Sequence, residues 1–312
     1  MAEVSNPITA GPRAVFRDPV ILMLELLWRW SFGAATSLLL FSTLAFVPSG
    51  TRIADADALA LRSRDALQIT LALRRVVASL PASLLVIALG TLLLITLLWT
   101  FLSAAGRLLI LGRDAPEKRP FRFRSILVIQ SWRAVLSWLA IFAIITVLQV
   151  VAGIANNKHD PDPYFFYLVG ACSSVLMLVF WAAINWYLSL ATIFCYAGTR
   201  ARGAVRETVG WVHLRAADLG GISAIFFVFR LVLFAVAFVL LLLPSGLVAA
   251  SPRTAFLWSA MVVLFYFASS DFLNISRLLS YLSIEEAIAD AIVEEPQKGP
   301  GTQHPQRRPP PV

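Results

Sequence analysis

The chain has 312 residues, of which 59% are hydrophobic and only 14% are charged, and its mean hydropathy is +0.78. Soluble proteins carry roughly 25% charged residues, so this composition excludes a soluble globular fold and indicates a chain that lives in a lipid bilayer. The net charge is +8, and the basic residues lie mainly between apolar segments. Membrane topology explains this distribution better than nucleic-acid binding does.

Charge-free stretches long enough to cross a bilayer recur along the chain. The hydrocarbon core of a membrane takes about 20 apolar residues in a helix. The stretches between successive charged residues, trimmed at turn residues, predict six spans at 25–47, 82–105, 134–156, 164–197, 219–243 and 254–276. The predicted fold is therefore all-α, a polytopic transmembrane helix bundle that forms one domain at 25–281.

The fourth predicted span, 164–197, is unusually long. A single helix over this stretch would reach about 51 Å, which is more than the bilayer core requires. The helix must therefore protrude, tilt or kink. The stretch contains no proline, which favours one helix over two short re-entrant halves.

The segment 51–80 separates the first two predicted spans and is amphipathic. Charged residues such as Arg62 and Asp65 alternate in it with leucines such as Leu67 and Leu71. This pattern is typical of one or two helices that rest on the outer membrane surface. A structural cap over the bundle and a ligand-gating element are both compatible with it.

Lysine and arginine are distributed unequally between the two sides of the predicted bundle. One side, which includes both termini and the loops around 107–133 and 200–215, holds 18 of the 26 basic residues, and the opposite side holds 7. Cytoplasmic loops are enriched in these residues, so both termini are predicted to be cytoplasmic.

Two terminal segments lie outside the predicted bundle. Residues 1–24 form a cytoplasmic N-terminal segment, and residues 282–312 form a cytoplasmic C-terminal one. The latter is predicted to begin with a short helix at about 284–293. It continues as a tail, from about Pro296, that is rich in proline, glutamine and arginine and is expected to be disordered.

The sequence lacks the motifs of common catalytic and metal sites. The three histidines, His159, His213 and His304, lie outside the predicted spans, and no H-E-x-x-H, C-x-x-C or Walker motif occurs. The two cysteines, Cys172 and Cys195, would lie roughly 35 Å apart on one helix, too far to form a disulfide. We therefore expect no metal site, no cofactor and no enzymatic activity.

Four ionisable residues lie within or near the predicted spans: Glu25, Arg29, Arg230 and Asp271. Charged groups are costly at bilayer depth and usually face the bundle interior or a cavity. Glu25 and Arg29 are spaced i,i+4, and Arg230 and Asp271 would lie at similar depths on adjacent spans, so each couple is predicted to pair. This candidate polar cluster is compatible with a structural lock near the cytoplasmic interface and with a substrate or proton pathway.

Two spans are followed by basic segments that lead into the next span. One runs from 122–125 (Arg-Phe-Arg-Ser) to Arg133, and the other runs from 204–208 (Ala-Val-Arg-Glu-Thr) to Arg215. In this order of parts, over roughly 80–245, the chain resembles uncharacterised bacterial six-span membrane proteins, including the membrane domain fused to glycerophosphodiester phosphodiesterases. The resemblance implies a multi-pass protein of the bacterial cytoplasmic membrane. It implies no enzymatic activity, because the hydrolase domain of those fusions has no counterpart here.

Two classes of function are compatible with these observations. The first is a non-catalytic integral membrane protein that acts as a scaffold or as a component of an envelope complex. The second is a transporter or permease subunit for a small or lipidic solute, which the charges within the spans favour. The lipid bilayer is the expected partner, nucleic acid is not, and the sequence identifies neither a protein partner nor a homo-oligomer.

Overall fold

A computed structural model of the chain describes residues 6–45, 54–114, 123–156, 162–243 and 251–294. Within these ranges the regular structure consists of ten helices without a strand, as the sequence predicts. The helices are α1 (Pro7–Arg17), α2 (Val20–Ala45), α3 (Asp55–Arg62), α4 (Ala66–Ser79), α5 (Ala82–Asp114), α6 (Phe123–Asn156), α7 (Pro163–Tyr196), α8 (Ala201–Leu214), α9 (Ala216–Leu242) and α10 (Pro252–Glu294).

Five of the described helices are long and apolar enough to cross a membrane. Large apolar side chains on them, such as Leu139, Phe180 and Phe227, are 58%, 68% and 59% exposed, as expected of lipid-facing surfaces. The chain is therefore an all-α protein with the character of a polytopic membrane protein. The five stretches are Ala82–Arg113, Phe123–Asn156, Pro163–Tyr196, Ala216–Leu242 and Arg253–Glu285.

The predicted first span, 25–47, overlaps α2, which begins five residues earlier and is not among these five stretches. Its 26 residues reach about 39 Å, which is enough to cross a hydrocarbon core of about 30 Å. Glu25 and Arg29 lower its hydropathy, and Trp28 and Trp30 add little to it. Its assignment as a sixth span stays a prediction.

Several helices extend beyond the predicted spans, because they continue past the charged residues at which the spans were ended. The second span was predicted to end at 105, but α5 runs to Asp114, and α6 begins at Phe123 instead of 134. The helix predicted at 284–293 is the last part of α10, which also contains the predicted span 254–276. Charges mark where a helix leaves the hydrocarbon, whereas the backbone hydrogen bonds continue beyond that point.

The predicted fourth span forms one uninterrupted helix, α7, of 34 residues. The carboxylate of Asp162 accepts a hydrogen bond of 3.1 Å from the amide of Phe165, and Pro163 occupies the first helical position. The helix ends before Gly198, whose φ of 101° lies in the left-handed region that favours glycine. This end turns the chain into α8, where Trp211 packs edge-to-face on Phe194 with ring centroids 5.4 Å apart.

The described part of the amphipathic segment 51–80 forms two helices, α3 and α4, as its pattern predicts. Its place on the outer side of the membrane stays a prediction. The Asp65 carboxylate accepts a hydrogen bond of 2.9 Å from the amide of Leu67 at the start of α4 and one of 3.0 Å from the hydroxyl of Tyr167 on α7. Leu67 is buried with Ala152 and Phe166, which lie on α6 and α7. These contacts pack the segment against α6 and α7, and its roles as a structural cap or as a ligand-gating element both stay predictions.

The chain divides into two compact units, Met1–Leu22 with Ala217–Val312 and Met23–Ala216. In the first unit α1 lies along α10, and the rings of Phe16 and Phe272 are 5.3 Å apart. This amphipathic helix falls in the predicted N-terminal segment 1–24, for which the sequence analysis predicts no helix. In the second unit α5, α6, α7 and α8 pack around a core that includes Ala104, Ile129, Ala191 and Ala204.

Several predicted features lie outside the described residues. They are residues 46 and 47 of the first predicted span, residues 115–122 of the basic segment 107–133, the histidines His159 and His304, and the tail from Pro296.

Candidate functional site

Glu25 lies on α2, and its side chain is fully buried. Its carboxylate accepts hydrogen bonds from Trp28 Nε1 at 2.8 Å, from Arg29 Nε at 2.7 Å and from Arg107 Nη2 at 3.2 Å. The i,i+4 pair that the sequence predicts is therefore formed. Arg107 belongs to α5 and was missed, because its 82-residue separation from Glu25 leaves no local signal in the sequence.

Trp28 fits beside α5 because residue 106 is glycine. A β-carbon at Gly106 would overlap Cδ1 and Cγ of the indole ring. The same indole donates to Glu25, and the Arg29 guanidinium lies 5.2 Å from the ring centroid. We refer to Glu25, Trp28, Arg29 and Arg107 as the Glu25 network, which joins α2 to α5.

A second polar network connects α6 with α5 and α7. Arg133 of α6 donates from Nε to Asn185 of α7 at 2.8 Å and from Nη1 to Gln130 at 3.0 Å. Its guanidinium lies 5.7 Å from the ring centroid of Trp99 on α5. Two further hydrogen bonds between these helices join Trp138 to Thr96 at 2.7 Å and Trp181 to Ser137 at 3.1 Å.

Sequence reasoning missed this Arg133 network, because it assigned Arg133 to a basic segment before the third span. The available signal is the three-residue spacing of Gln130 and Arg133, which places both side chains on one helical face. Hydrogen bonds between transmembrane helices contribute roughly 0.6–2 kcal/mol each, so the network fixes the mutual rotation of three helices.

Arg230 lies inside α9, within the predicted fifth span, and donates a hydrogen bond from Nη2 to Asn274 of α10. Ser223 and Tyr281 form another hydrogen bond between the same two helices. Both contacts fit one antiparallel alignment of α9 and α10. Asp271 precedes Asn274 by three residues, so it lies on the same helical face, and it is buried. The predicted pair of Arg230 with Asp271 stays a prediction.

A double-mutant cycle on Arg230→Leu and Asp271→Leu tests this pair. We expect the two losses of unfolding free energy to be non-additive by about 1–2 kcal/mol, because each change removes the same interaction. The free energies are measured by denaturant unfolding in detergent micelles. The cycle of Arg230→Leu with Asn274→Leu is the matched comparison, since that hydrogen bond is present in the structure. Additive effects of Arg230→Leu and Asp271→Leu would contradict the pair.

The four residues of the candidate polar cluster belong to two different units. Glu25 and Arg29 bond within one unit, and Arg230 bonds to Asn274 within the other, which also contains the buried Asp271. A site that unites all four residues therefore stays a prediction. Over the ranges that the structure describes, no three His, Cys, Asp or Glu residues are grouped so that they could hold a metal ion.

No family model, curated protein or solved structure matches the chain. The function is therefore inferred from the hydrogen bonds, burial and charges of the residues described above.

Proposed function

We propose that the chain is a six-span protein of the bacterial cytoplasmic membrane, with both termini in the cytoplasm, that acts as a non-catalytic scaffold or envelope component. The observation that carries this proposal is the Glu25 network, in which a fully buried carboxylate accepts hydrogen bonds from three side chains on two helices. The Glu25 carboxylate contacts all three of these partners at once, which supports a structural role in joining α2 to α5.

The Arg133 network supports the same proposal. Its guanidinium is shared between a neighbour on its own helix, Gln130, and one on α7, Asn185. Such contacts use polar side chains to hold helices in one arrangement, as expected of a rigid framework. We propose that the chain is one of the six-span membrane proteins whose order of spans and basic segments it resembles.

The alternative is a transporter or permease subunit for a small or lipidic solute. The presence of Arg230 and Asp271 inside α9 and α10 favours it, because charges at bilayer depth commonly line solute or proton pathways. The two functions differ in whether water reaches these residues.

Thiol labelling distinguishes the two functions. Asn274→Cys, in a background of Cys172→Ser and Cys195→Ser, places a thiol beside Arg230. We expect a membrane-impermeant thiol reagent not to label position 274 from either side. Applied from the cytoplasmic side, it should rapidly label the control Arg200→Cys, which is exposed at the start of α8. Labelling at position 274 at a rate similar to that of the control would favour the transporter.

The topology is tested with reporter fusions after residues 50, 115, 160, 205, 248 and 290. We expect their location to alternate between the two sides of the membrane, starting outside, because of the excess of basic residues on the predicted cytoplasmic side. Paired reporters that are active on opposite sides measure this directly. A fusion after residue 115 that lies outside would contradict the proposed orientation.

A further inference from the structure

A cavity of about 450 Å³ opens between α4 and α6. Arg74 of α4 forms one side of it. On α6, Thr146 and Gln149 contribute polar side chains, and Gly153 leaves space because it has no side chain. Ile154, which also lines the cavity, lies two residues from the end of α6 at Asn156, so the cavity begins about 3 Å from that end. At this depth a helix that crosses a membrane meets the lipid headgroups.

Arg74 differs from its neighbour Arg75 in its surroundings. Arg75 forms an ion pair of 2.7 Å with Asp57, whereas among the described residues Arg74 has no carboxylate partner. The Arg74 guanidinium lies above Gly153, where a β-carbon would be 3.9 Å from Nη1. An arginine whose charge is not compensated by a carboxylate and which lines a cavity is complementary to an oxyanion such as a phosphate.

Gln149 supplies the second recognition element. Its Nε2 donates a hydrogen bond of 3.1 Å to the backbone carbonyl of Thr70, and a carbonyl can only accept, so the orientation of the amide is determined. Its Oε1 is then a buried acceptor that has no partner within the described structure. Such an acceptor is costly unless a donor reaches it. A ligand of this cavity should therefore carry an N–H or O–H group close to its phosphate.

An apolar stripe continues from the cavity along α6. Ile145, Val150 and Ile154 line the cavity and are 44%, 55% and 49% exposed. Ile145 lies eleven residues, or about 17 Å, from the end of α6, which corresponds to the deep part of the acyl chains. A free phosphate would leave this stripe uncovered, whereas a lipid covers it.

We propose that this cavity binds a glycerophospholipid whose headgroup carries a hydrogen-bond donor. The phosphate contacts Arg74, the ammonium of an ethanolamine or the hydroxyl of a glycerol headgroup donates to Gln149 Oε1, and an acyl chain lies along Ile145 and Ile154. The inference goes beyond the proposed function and rests only on the membrane location that it includes. It holds for a scaffold and for a transporter.

Native mass spectrometry of the full chain in detergent tests the proposal. The protein is titrated with phosphatidylethanolamine, phosphatidylglycerol and phosphatidylcholine of equal chain length. We expect at least one of the first two to bind roughly tenfold more tightly than phosphatidylcholine, whose choline group has no N–H or O–H. The comparison of the first two lipids identifies which donor the site uses. Inorganic phosphate at the same concentration is expected not to displace the lipid.

Three variants attribute the binding to this cavity. Arg74→Gln should weaken lipid binding by about tenfold or more, whereas Arg75→Gln, which removes the same charge at the next residue, should stay within about twofold of the wild type. Gly153→Leu keeps Arg74 and fills the cavity, and it should also abolish binding without changing the melting temperature in lipid-free detergent.

The proposal is overturned if Arg74→Gln and Arg75→Gln weaken binding equally, if Gly153→Leu binds like the wild type, if phosphatidylcholine binds equally well, or if inorganic phosphate displaces the lipid. The reporter fusions and the thiol labelling test the proposed function separately. A failure of lipid binding is therefore distinguishable from a wrong topology or from a transport function.

Discussion

Replacing Glu25 with alanine is expected to lower the free energy of unfolding by about 3–5 kcal/mol, because it removes the carboxylate from a buried ion pair. The three donors on Trp28, Arg29 and Arg107 all lose the same acceptor. Glu25→Gln keeps the shape and one acceptor oxygen, so an intermediate loss is expected. Denaturant unfolding in detergent micelles measures both values.

Asp57→Ala is the matched control for Glu25→Ala. It also removes a carboxylate that lies 2.7 Å from an arginine, but water reaches this pair: the side chain of Arg75 is 55% exposed and that of Asp57 is 14% exposed, whereas that of Glu25 is fully buried. Exposed ion pairs contribute only about 0–1 kcal/mol, because water screens the charges. If Glu25→Ala costs no more than Asp57→Ala, the Glu25 network does not hold the helices together, and the transporter becomes the better interpretation.

The second large effect is expected at Gly11, where α1 meets α10. A β-carbon at this position would overlap the backbone carbonyl oxygen of Ser276 and the hydroxyl of Ser280. A backbone atom cannot rotate away as a side chain can, so Gly11→Ala should force α1 off α10. We expect trypsin to cleave at Arg13 and Arg17 at least tenfold faster in this variant, because a protease needs locally unfolded chain.

Gly220→Ala is the control for Gly11→Ala. Gly220 lies in α9 of the same unit, and nothing lies within 4 Å of the position that its β-carbon would occupy. Alanine favours helix formation over glycine by roughly 0.8–1 kcal/mol, so this variant should be as stable as the wild type or more stable. Mass spectrometry of the released N-terminal peptide gives the cleavage rates. Equal rates for the two variants would contradict the close contact of α1 with α10.

The gaps between charged residues predicted five helices that are long and apolar enough to cross a membrane, but they did not predict how far those helices extend. Both outcomes have one physical reason. A charge-free gap reports on transfer into hydrocarbon, which decides whether a stretch crosses the membrane. It does not report on backbone hydrogen bonding, which continues in α5 to Asp114 and in α10 to Glu294. The helix α1 was missed for a related reason: it holds two prolines and two arginines in eleven residues and has no apolar stretch of spanning length.

The contacts of the candidate site were predictable only where they are local. The pair of Glu25 with Arg29 follows from their spacing on one helix. The contacts of Glu25 with Arg107 and of Arg133 with Asn185 depend on which helices are neighbours and how each is rotated, and a single sequence carries no direct signal for either. Gly106 could have been noted as small, but its role beside Trp28 follows only from the structure.

The length of α10 has a mechanical consequence. Its 43 residues extend about 64 Å, roughly twice the hydrocarbon thickness, and they include no glycine and no proline after Pro252. Because α10 has no glycine or proline at which it could bend, we expect a rotation applied at its C-terminal end to be transmitted along the whole helix. Asn274, which bonds to Arg230, and Ser276, against which α1 lies, would turn together with it. A torque applied to the last turns of α10 therefore acts at the same time on the Arg230 contact and on the N-terminal helix.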